Sequence, residues 1–426
     1  MLWNVLLGPI EQRILLGRIF GLLSMIDEVF SLIHPRTVQY EITSAPKWLR
    51  EARDERTMTG VYIGSEHDIL IPRGPLLRLP REENFACADS MADRYSYLSV
   101  VPKSTSEDRR KISVTVKIVS NDVFGGASSP AKVGSEEVLF VPIAEKVGDL
   151  LLSIDTAPDG QIKFYDTVLL DEISPAEKII SERDEEPGLD IVFAPELVIS
   201  EIHADELSEK LGSVGATSPR ILVAGSGATK DVDENNQLAW NEARIMNGFG
   251  VELWRQRKIW PAGLQPRHVE QYELSDPQQS LTLERNASGN ELVISDLDGF
   301  GRCLVLICQD IQALPLSEEI IKNFQPDWIF VPILDQGASY ESWAHQRAFE
   351  LSAHSQARFL ISCSRALKPR PMADDLGHGL AIGPKSSIEP DDLRRACKLA
   401  KPTTKPSSAR ISWSKFDWKK TKFSTE

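Results

Sequence analysis

Short apolar runs recur through the middle of the chain, and three of them lie next to a residue that can do chemistry. Residues 303–307 lead directly into Cys308, and the two residues that follow it are polar. The run that begins at residue 190 ends in Glu196, and Lys258 is followed by Ile259 and Trp260. Such runs are consistent with buried strands. The pattern therefore predicts that Glu196, Lys258 and Cys308 meet at the ends of strands.

The same middle region alternates between apolar runs and helical patterns, which is typical of a mixed α/β domain. Residues 166–185 can form a helix before the strand that leads to Glu196. Residues 150–163 contain a Pro-Asp-Gly turn and predict a hairpin close to the first core strand.

The first 134 residues divide into two parts. Residues 1–36 are rich in Leu and Ile, but charges interrupt them, and the longest uncharged apolar run is shorter than the ~20 residues of a spanning helix. They predict an amphipathic helical segment without a transmembrane span or a secretory signal, with membrane-surface binding as the alternative. Residues 37–134 contain short strand-like runs between Pro and Gly, which predict a small β-rich domain of unknown role. Residues 125–135 are the expected linker.

A thiol, a carboxylate and an ammonium at one sheet edge suit nucleophilic catalysis. A cysteine with a pKa near ~8.5 is mostly protonated at pH 7, so it needs a base or a cation nearby. Glu196 can take the proton of Cys308, while Lys258 and the backbone N–H of Gln309 can stabilise the negative charge that develops on an attacked amide or nitrile. Structural alternatives exist for each residue: a buried filler for Cys308, a helix cap for Glu196, and a solvated basic face for Lys258.

In this order the motifs resemble the nitrilase superfamily of carbon–nitrogen hydrolases. They read Pro-Glu at Glu196, Arg-Lys at Lys258 and Ile-Cys-x-Asp at Cys308. Four later segments also look like family elements, namely DWIFVP at 327–332, QRAFE at 346–350, FLISCSR at 359–365 and GHGLAIGP at 377–384. The resemblance covers residues 136–391. It implies a four-layer α-β-β-α sandwich, a thioester intermediate on Cys308, no cofactor, and a homo-oligomer.

Two positions depart from the family pattern. Members commonly carry a second glutamate shortly after the lysine, but Pro266 stands eight residues past Lys258, so the resemblance leaves Glu270 as the candidate. The family helix Arg-Ala-x-Glu is normally followed by Asn, whereas Leu351 follows here. Arg347 and Glu350 can still pair at i,i+3 and are interpreted as structural support.

Composition narrows the function class further. The formal net charge of −14 disfavours general binding of polyanions by the body of the protein. Five scattered cysteines argue against a disulfide framework and favour a reducing, cytoplasmic compartment. The seven histidines show no metal-binding spacing, and no glycine-rich nucleotide loop occurs, so no metal and no cofactor are expected.

The C-terminal segment contrasts with this acidic body. Residues 391–426 hold ten Lys or Arg against four Asp or Glu, a net charge of +6, interleaved with aromatic residues. A basic, aromatic tail at 392–426 could contact nucleic acid or an acidic protein, since such residues neutralise phosphates and stack on bases. Folding back on the acidic body, or wrapping a neighbouring subunit, is the favoured interpretation.

Two functions stay open at the level of sequence. The first is a cysteine-dependent hydrolase of a non-peptide C–N bond in a small molecule, with an amide preferred over a nitrile or carbamoyl group. The second is a catalytically silent nitrilase-like module that binds or scaffolds within a larger assembly.

Overall fold

The computed structural model describes most of the chain from residue 62 onward. The described residues are 62, 64–73, 98–107, 110–119, 136–156, 163–215, 218–272, 274, 282–297, 300–340, 342–352, 355, 357–367, 376–384, 395–401, 408–413 and 419–420. The segment 1–36, for which a helix is expected, and the expected linker at 125–135 lie outside them.

The described part of the chain is a mixed α/β structure. Its strands are β1 (Asp68–Pro72), β2 (Leu98–Pro102), β3 (Ser104–Glu107), β4 (Arg110–Val119), β5 (Glu137–Phe140), β6 (Leu150–Thr156), β7 (Lys163–Leu169), β8 (Ile191–Phe193), β9 (Ile221–Val232), β10 (Ala239–Met246), β11 (Glu252–Arg257), β12 (Gly263–Leu264), β13 (Thr282–Glu284), β14 (Glu291–Leu297), β15 (Gly301–Val305), β16 (Trp328–Ile333), β17 (Arg358–Cys363), β18 (Gly379–Pro384), β19 (Arg395–Ala400), β20 (Ala409–Ser412) and β21 (Lys419–Lys420). The α-helices are α1 (Pro175–Glu185), α2 (Glu201–Val214), α3 (Pro266–Gln271), α4 (Leu316–Phe324) and α5 (Trp343–Leu351).

Two large sheets form the body. One has six strands in the order β11-β10-β9-β8-β5-β20, and the other has nine in the order β21-β19-β18-β17-β16-β15-β14-β4-β3. A four-stranded sheet, β12-β13-β7-β6, and the pair β1-β2 complete the described strands. Parallel pairs join β5, β8 and β9 in the first large sheet and β15, β16 and β17 in the second.

The six-stranded sheet separates two hydrophobic cores. Phe140 and Phe193 belong to the core shared with the nine-stranded sheet, where the ring of Phe193 meets that of Phe330 edge-to-face at 5.6 Å. Their strand neighbours Leu139 and Val192 point to the other face, against buried residues of α1 and α2. Successive side chains of a strand alternate between its faces, so one short apolar run serves both cores.

A buried glutamine ties the edge strand β11 of the six-stranded sheet to strand β14 of the nine-stranded sheet. The side-chain amide of Gln256 in β11 donates to the carbonyl oxygen of Glu291 at 2.9 Å, and its oxygen accepts the N–H of Val293 at 2.8 Å. The strand that precedes Lys258 is thereby held against β14, next to the strand that leads to Cys308.

The predicted hairpin is present and longer than expected, whereas the predicted helix is shorter. Strands β6 and β7 pair antiparallel from Leu150 opposite Leu169 to Thr156 opposite Lys163. Helix α1 therefore begins at Pro175 rather than at residue 166. Proline suits the first helical turn, where its missing N–H is not needed, and the side chain of Ser174 caps the helix.

Part of the segment 37–134 belongs to the large sheet. Predicted strands appear at β1, β2 and β4, but β4 pairs in parallel with β14, from Ser113 beside Glu291 to Val119 beside Leu297. Strand β3 extends the same sheet. Strands β3 and β4 are thus part of the nine-stranded sheet, whereas β1 and β2 form a two-stranded sheet of their own.

The basic C-terminal segment also joins the body where it is described. Strand β19 pairs with β18, and β20 pairs with β5 through Ala409 opposite Phe140. Arg410 forms ion pairs with Glu137 and Glu186, and the ring of Trp413 is buried. The described part of this segment folds back on the acidic body, as the favoured interpretation expects. No helix in the described part of the chain combines the length and apolar character needed to cross a membrane.

Candidate active site

Glu196 lies just beyond the end of β8, inside the protein. Only 1% of its surface is exposed. The neighbouring strand approaches closely here because Gly225 has a φ of +73°, and a Cβ at this position would lie 2.1 Å from the carbonyl oxygen of Pro195. The Oε2 of Glu196 accepts the N–H of Leu334 at 2.8 Å, so the loop after β16 fixes one side of the carboxylate.

Lys258 follows β11 and is enclosed between two carboxylates. Its Nζ donates to Oε1 of Glu196 at 2.6 Å and to Oε2 of Glu284. The backbone N–H of Lys258 donates to the carbonyl oxygen of Asn241 at 2.8 Å. Its side chain is fully buried, so it is not part of a solvated basic face.

Asn241 in β10 joins the two carboxylates from a third direction. Its Nδ2 donates to Oε1 of Glu196 at 3.1 Å and to Oε1 of Glu284 at 2.8 Å. Glu284 also accepts the N–H of Ala262 at 3.1 Å. The ammonium and the amide together hold both carboxylates in a fixed orientation.

Cys308 begins a 3-10 turn, Cys308–Gln312, three residues after the end of β15. Its φ is +48°, in the left-handed region that residues with a side chain rarely occupy. Such a conformation costs on the order of 1–3 kcal/mol and is concentrated at functional sites. Besides burial, the carboxylates of Glu196 and Glu284 raise the pKa of the thiol and Lys258 lowers it, so the three residues expected from the sequence lie in one cluster.

Asp310 connects the cysteine turn to the segment that carries Lys258. Its carboxylate accepts the N–H groups of Trp260 at 2.9 Å, Ile259 at 3.1 Å and Ile307 at 3.2 Å. Burial raises the pKa of Asp310 to about 7, against the lowering effects of Lys258 and of these backbone donors. The aspartate of the Ile-Cys-x-Asp motif thus positions the reactive groups relative to each other.

The buried charges decide where protons rest. Burial raises the pKa of Glu196, although Lys258 lowers it. Burial and the Glu196 carboxylate raise the pKa of the Cys308 thiol well above its ordinary value. Burial lowers the pKa of Lys258, but Glu196 and Glu284 raise it more, so that it lies well above its usual range. These directions favour a neutral thiol and a protonated lysine in the resting cluster.

Glu270 does not lie beside Lys258. It is exposed on α3, and the second carboxylate bound to Lys258 belongs to Glu284. The second carboxylate does not come shortly after the lysine in the sequence. Helix α3 and the residues that follow it separate Lys258 from β13, which carries Glu284. No local sequence motif indicates that Glu284 or Asn241 belongs to the site. Their positions depend on pairing between strands that are distant in sequence.

The remaining expected residues have distinct surroundings. Gln309 is the second residue of the cysteine turn, where the first backbone N–H groups have no partner within the helix. Arg347 donates to the carbonyl oxygen of Ile311 at 3.1 Å and to Oγ of Ser317 at 3.0 Å, and pairs with Glu350 at 3.2 Å. It ties α5 to the cysteine turn and to α4.

The chain is similar in structure to members of the nitrilase superfamily. Saccharomyces cerevisiae Nit3, of branch 10 of that superfamily, has 15% identity and a TM-score of 0.40 over 66% of this chain and 90% of its own. The C. elegans NitFhit protein has 15% identity and a TM-score of 0.42 over 66% of this chain and 61% of its own. A mutant amidase from Nesterenkonia sp. AN1, with an acetamide moiety bound covalently at its active-site cysteine, has 13% identity and a TM-score of 0.39 over 66% and 91%.

No family model matches the sequence, and no curated protein matches it either. At such low sequence identity these structures indicate a similar fold. Any chemistry has to be argued from the residues of this chain.

Proposed function

We propose that this protein hydrolyses a non-peptide C–N bond of a small amide through a thioester on Cys308. One observation carries the proposal: the buried Glu196 carboxylate accepts a hydrogen bond from the Lys258 ammonium at 2.6 Å and lies close enough to the Cys308 thiol to raise its pKa. A base, a nucleophile and a cation are then grouped together, and the nucleophile has a strained backbone.

In the first half-reaction Glu196 takes the thiol proton as sulfur attacks the carbonyl carbon. The C–S bond forms, and the electrons of the C=O bond move to oxygen. Lys258 and the N–H of Gln309 are the donors for that oxygen, and a preorganised donor of this kind is worth ~2.7–4 kcal/mol. Glu196 then gives its proton to the leaving nitrogen, and the C–N bond breaks to leave a thioester and an amine or ammonia.

In the second half-reaction Glu196 accepts a proton from water while the water oxygen attacks the thioester. The tetrahedral intermediate collapses, the C–S bond breaks and the proton returns to sulfur. The products are a carboxylic acid and the free thiol. One carboxylate therefore serves as base, acid and base again, which requires a pKa closer to the working pH than that of an ordinary glutamate. Burial shifts Glu196 in that direction.

The layer order of the fold is part of the same proposal. Helices α1 and α2 cover one face of the six-stranded sheet. Buried residues of α4 and α5 pack in a cluster that contains side chains from both faces of the nine-stranded sheet. We infer an α-β-β-α arrangement in which the ends of β8 and β15 and the residue after β11 supply the three reactive groups.

A catalytically silent module remains the competing function. Its support in the sequence is the absence of a second glutamate at the expected offset after Lys258. The polar groups around Lys258 come instead from other strands, in Glu284 and Asn241. Their presence favours the catalytic function.

The test combines alkylation with hydrolysis of simple amides such as propionamide. Cys308 should react with iodoacetamide faster than the other cysteines at pH 7, and Cys308→Ala should lower amide hydrolysis by at least about 10³-fold. Mass spectrometry of the labelled peptides and an ammonia-release assay measure the two effects.

Cys303→Ala is the matched control. Cys303 is also buried, but it lies in mid-strand in β15, with its thiol near the carbonyl oxygen of Gly301. It should leave turnover unchanged. Full activity of Cys308→Ala, or equal labelling of Cys303 and Cys308, would contradict the proposal.

A further inference from the structure

A cavity of about 360 Å³ lies beside the catalytic cluster, between the β6–β7 hairpin and the six-stranded sheet. Tyr165, Asn241 and Glu284 form part of its wall. The last two bind Glu196 or Lys258, so the cavity and the reacting groups share one layer of side chains.

Strand pairing places Tyr165 at this shared wall. In the parallel pair β7–β13, Tyr165 lies beside Glu284, and its carbonyl oxygen accepts the N–H of Arg285 at 3.0 Å. Burial and the neighbouring Glu284 raise the pKa of Tyr165 well above its usual value, so its hydroxyl stays neutral. The cavity thus meets the catalytic centre at a polar surface that combines a neutral phenol with the Glu284 carboxylate.

One buried polar side chain of the cavity wall lacks a partner in the described part of the chain. Asn286 is 6% exposed, and neither Nδ2 nor Oδ1 of its side chain has a hydrogen-bond partner among the described residues. The Oδ1 of Asn241 is also buried without a partner there. Leaving such groups unpaired is unfavourable, so a ligand that offers a donor and an acceptor would be stabilised.

Charge at the cavity opposes anions. Asp166 and Asp171 are exposed at its rim, and the carboxylate of Glu284 forms part of its wall. The nearby cation, Arg285, already pairs with Asp155 at 2.8 Å. A carboxylate on the ligand would therefore meet more negative than positive charge.

We infer that this cavity holds the part of the substrate remote from the scissile bond and selects a neutral far end with both a donor and an acceptor. A second carboxamide or a ureido group has that chemistry, whereas a carboxylate does not. The volume is near the lower end of the ~300–1,000 Å³ of small-ligand sites, which suits a short substrate. This inference rests on the proposed function for the reaction at Cys308.

The test uses two substrates of equal length, glutaramide and its monoacid glutaramate, which differ only at the far end. Glutaramide should be hydrolysed with a kcat/KM at least about tenfold higher, because the cavity pairs an amide and repels a carboxylate. Asn286→Leu should lower kcat/KM for glutaramide by about 10–100-fold and leave propionamide hydrolysis nearly unchanged.

Two further variants and one binding measurement separate the effects on folding, binding and catalysis. Asn290→Leu changes a nearby exposed asparagine and should have no effect. Asp166→Asn, at the exposed rim, should improve glutaramate hydrolysis several-fold even if Asn286→Leu does not fold. Calorimetry on the Cys308→Ala variant should show binding of glutaramide and weaker binding of glutaramate without any turnover.

The outcomes distinguish the two proposals. Equal kcat/KM for both substrates, or no effect of Asn286→Leu and Asp166→Asn, overturns the cavity assignment while propionamide hydrolysis keeps the function. An inert Cys308 with no amide hydrolysis overturns the function, and calorimetry then decides the cavity by itself: absence of glutaramide binding overturns it, and selective binding supports it.

Discussion

Two buried clusters in this protein hold a cation beside carboxylates, and they are built for different purposes. Arg302 binds Asp296 through two parallel hydrogen bonds of 2.6 and 2.8 Å. It also donates to the carbonyl oxygens of Phe324 at 2.6 Å and Pro72 at 2.7 Å. Lys258 lies between Glu196 and Glu284. Both cations are almost fully buried, so burial alone does not separate them.

The difference lies in the partners. The planar guanidinium of Arg302 is held by fixed backbone carbonyls and a bidentate carboxylate, an arrangement suited to joining segments of the chain. The compact ammonium of Lys258 shares Glu196 with a thiol at a strained position. A buried ion pair is therefore typical of structure as well as of catalysis, and the adjacent nucleophile decides between them.

The largest expected effect comes from neutralising one carboxylate in each cluster. Glu196→Gln should lower amide hydrolysis by at least about 10³-fold, because an amide cannot shuttle the proton in either half-reaction. Asp296→Asn should instead lower the free energy of unfolding by about 3–5 kcal/mol, since it removes the carboxylate that binds Arg302 directly. Ammonia release and urea denaturation measure the two quantities.

The distinction between the Lys258 cluster and the Arg302 cluster would be wrong if the losses of turnover and of stability were exchanged between them. A Glu196→Gln variant with near-normal turnover but a large loss of stability would make Glu196 a structural partner. Asp296→Asn, assayed at a temperature where it is folded, should retain normal turnover per folded molecule.

A smaller effect is expected at the second carboxylate of the catalytic cluster. Glu284→Gln should lower kcat/KM by about 10²-fold, or about 2.7 kcal/mol, because Lys258 loses one of the two charges that orient it. Glu270→Gln is the matched control and should behave as the native protein, since Glu270 is exposed on α3. If Glu270→Gln lost activity and Glu284→Gln did not, Glu270 and not Glu284 would be the second carboxylate that the reaction needs.

The smallest effect concerns a buried group with no counter-charge. Burial, with Arg365 and Lys178, lowers the pKa of His378 to about 4, and its ring nitrogens have no hydrogen-bond partner in the described part of the chain. The unfolded chain binds a proton near pH 6.5 and the folded protein does not until about pH 4, so stability falls as pH decreases between these values. From pH 7 to pH 5 the loss should be about 2 kcal/mol.

Urea denaturation at pH 7 and pH 5 checks this value. His378→Gln removes the titrating group and should flatten that part of the pH dependence. An unchanged slope in the variant would assign the acid sensitivity to other groups.

The reactive triad could be anticipated because each member lies in or beside a short apolar run. Cys308 and Glu196 stand three residues after the ends of β15 and β8, respectively, and Lys258 directly follows β11. Local pattern also predicts the β6–β7 hairpin, since its alternation and turn are contiguous in sequence. Helix α1 begins later than the pattern predicts. Residues 163–169 resemble the start of a helix as well as a strand, and in the structure they form β7.

What could not be anticipated depends on pairing between distant segments. Glu284 reaches Lys258 because β13 lies beside β7, and Asn241 reaches both carboxylates from β10. The left-handed backbone of Cys308 and the addition of β4 to the large sheet likewise have no local signal. Short-range patterns specify strand ends, whereas the neighbours of a strand are set by the packing of the whole sheet.

The pairing of β4 with β14 has a consequence for handling the protein. A version trimmed to residues 136–391 would lose β4 and expose the hydrogen-bonding groups of β14, next to the strand that leads to Cys308. It would also lose β20 and uncover β5 in the other large sheet. Unpaired edges of this kind recruit other chains. The residues that resemble a complete hydrolase domain in the sequence would then be prone to aggregate, and segments on both sides of them act as covers for its edges.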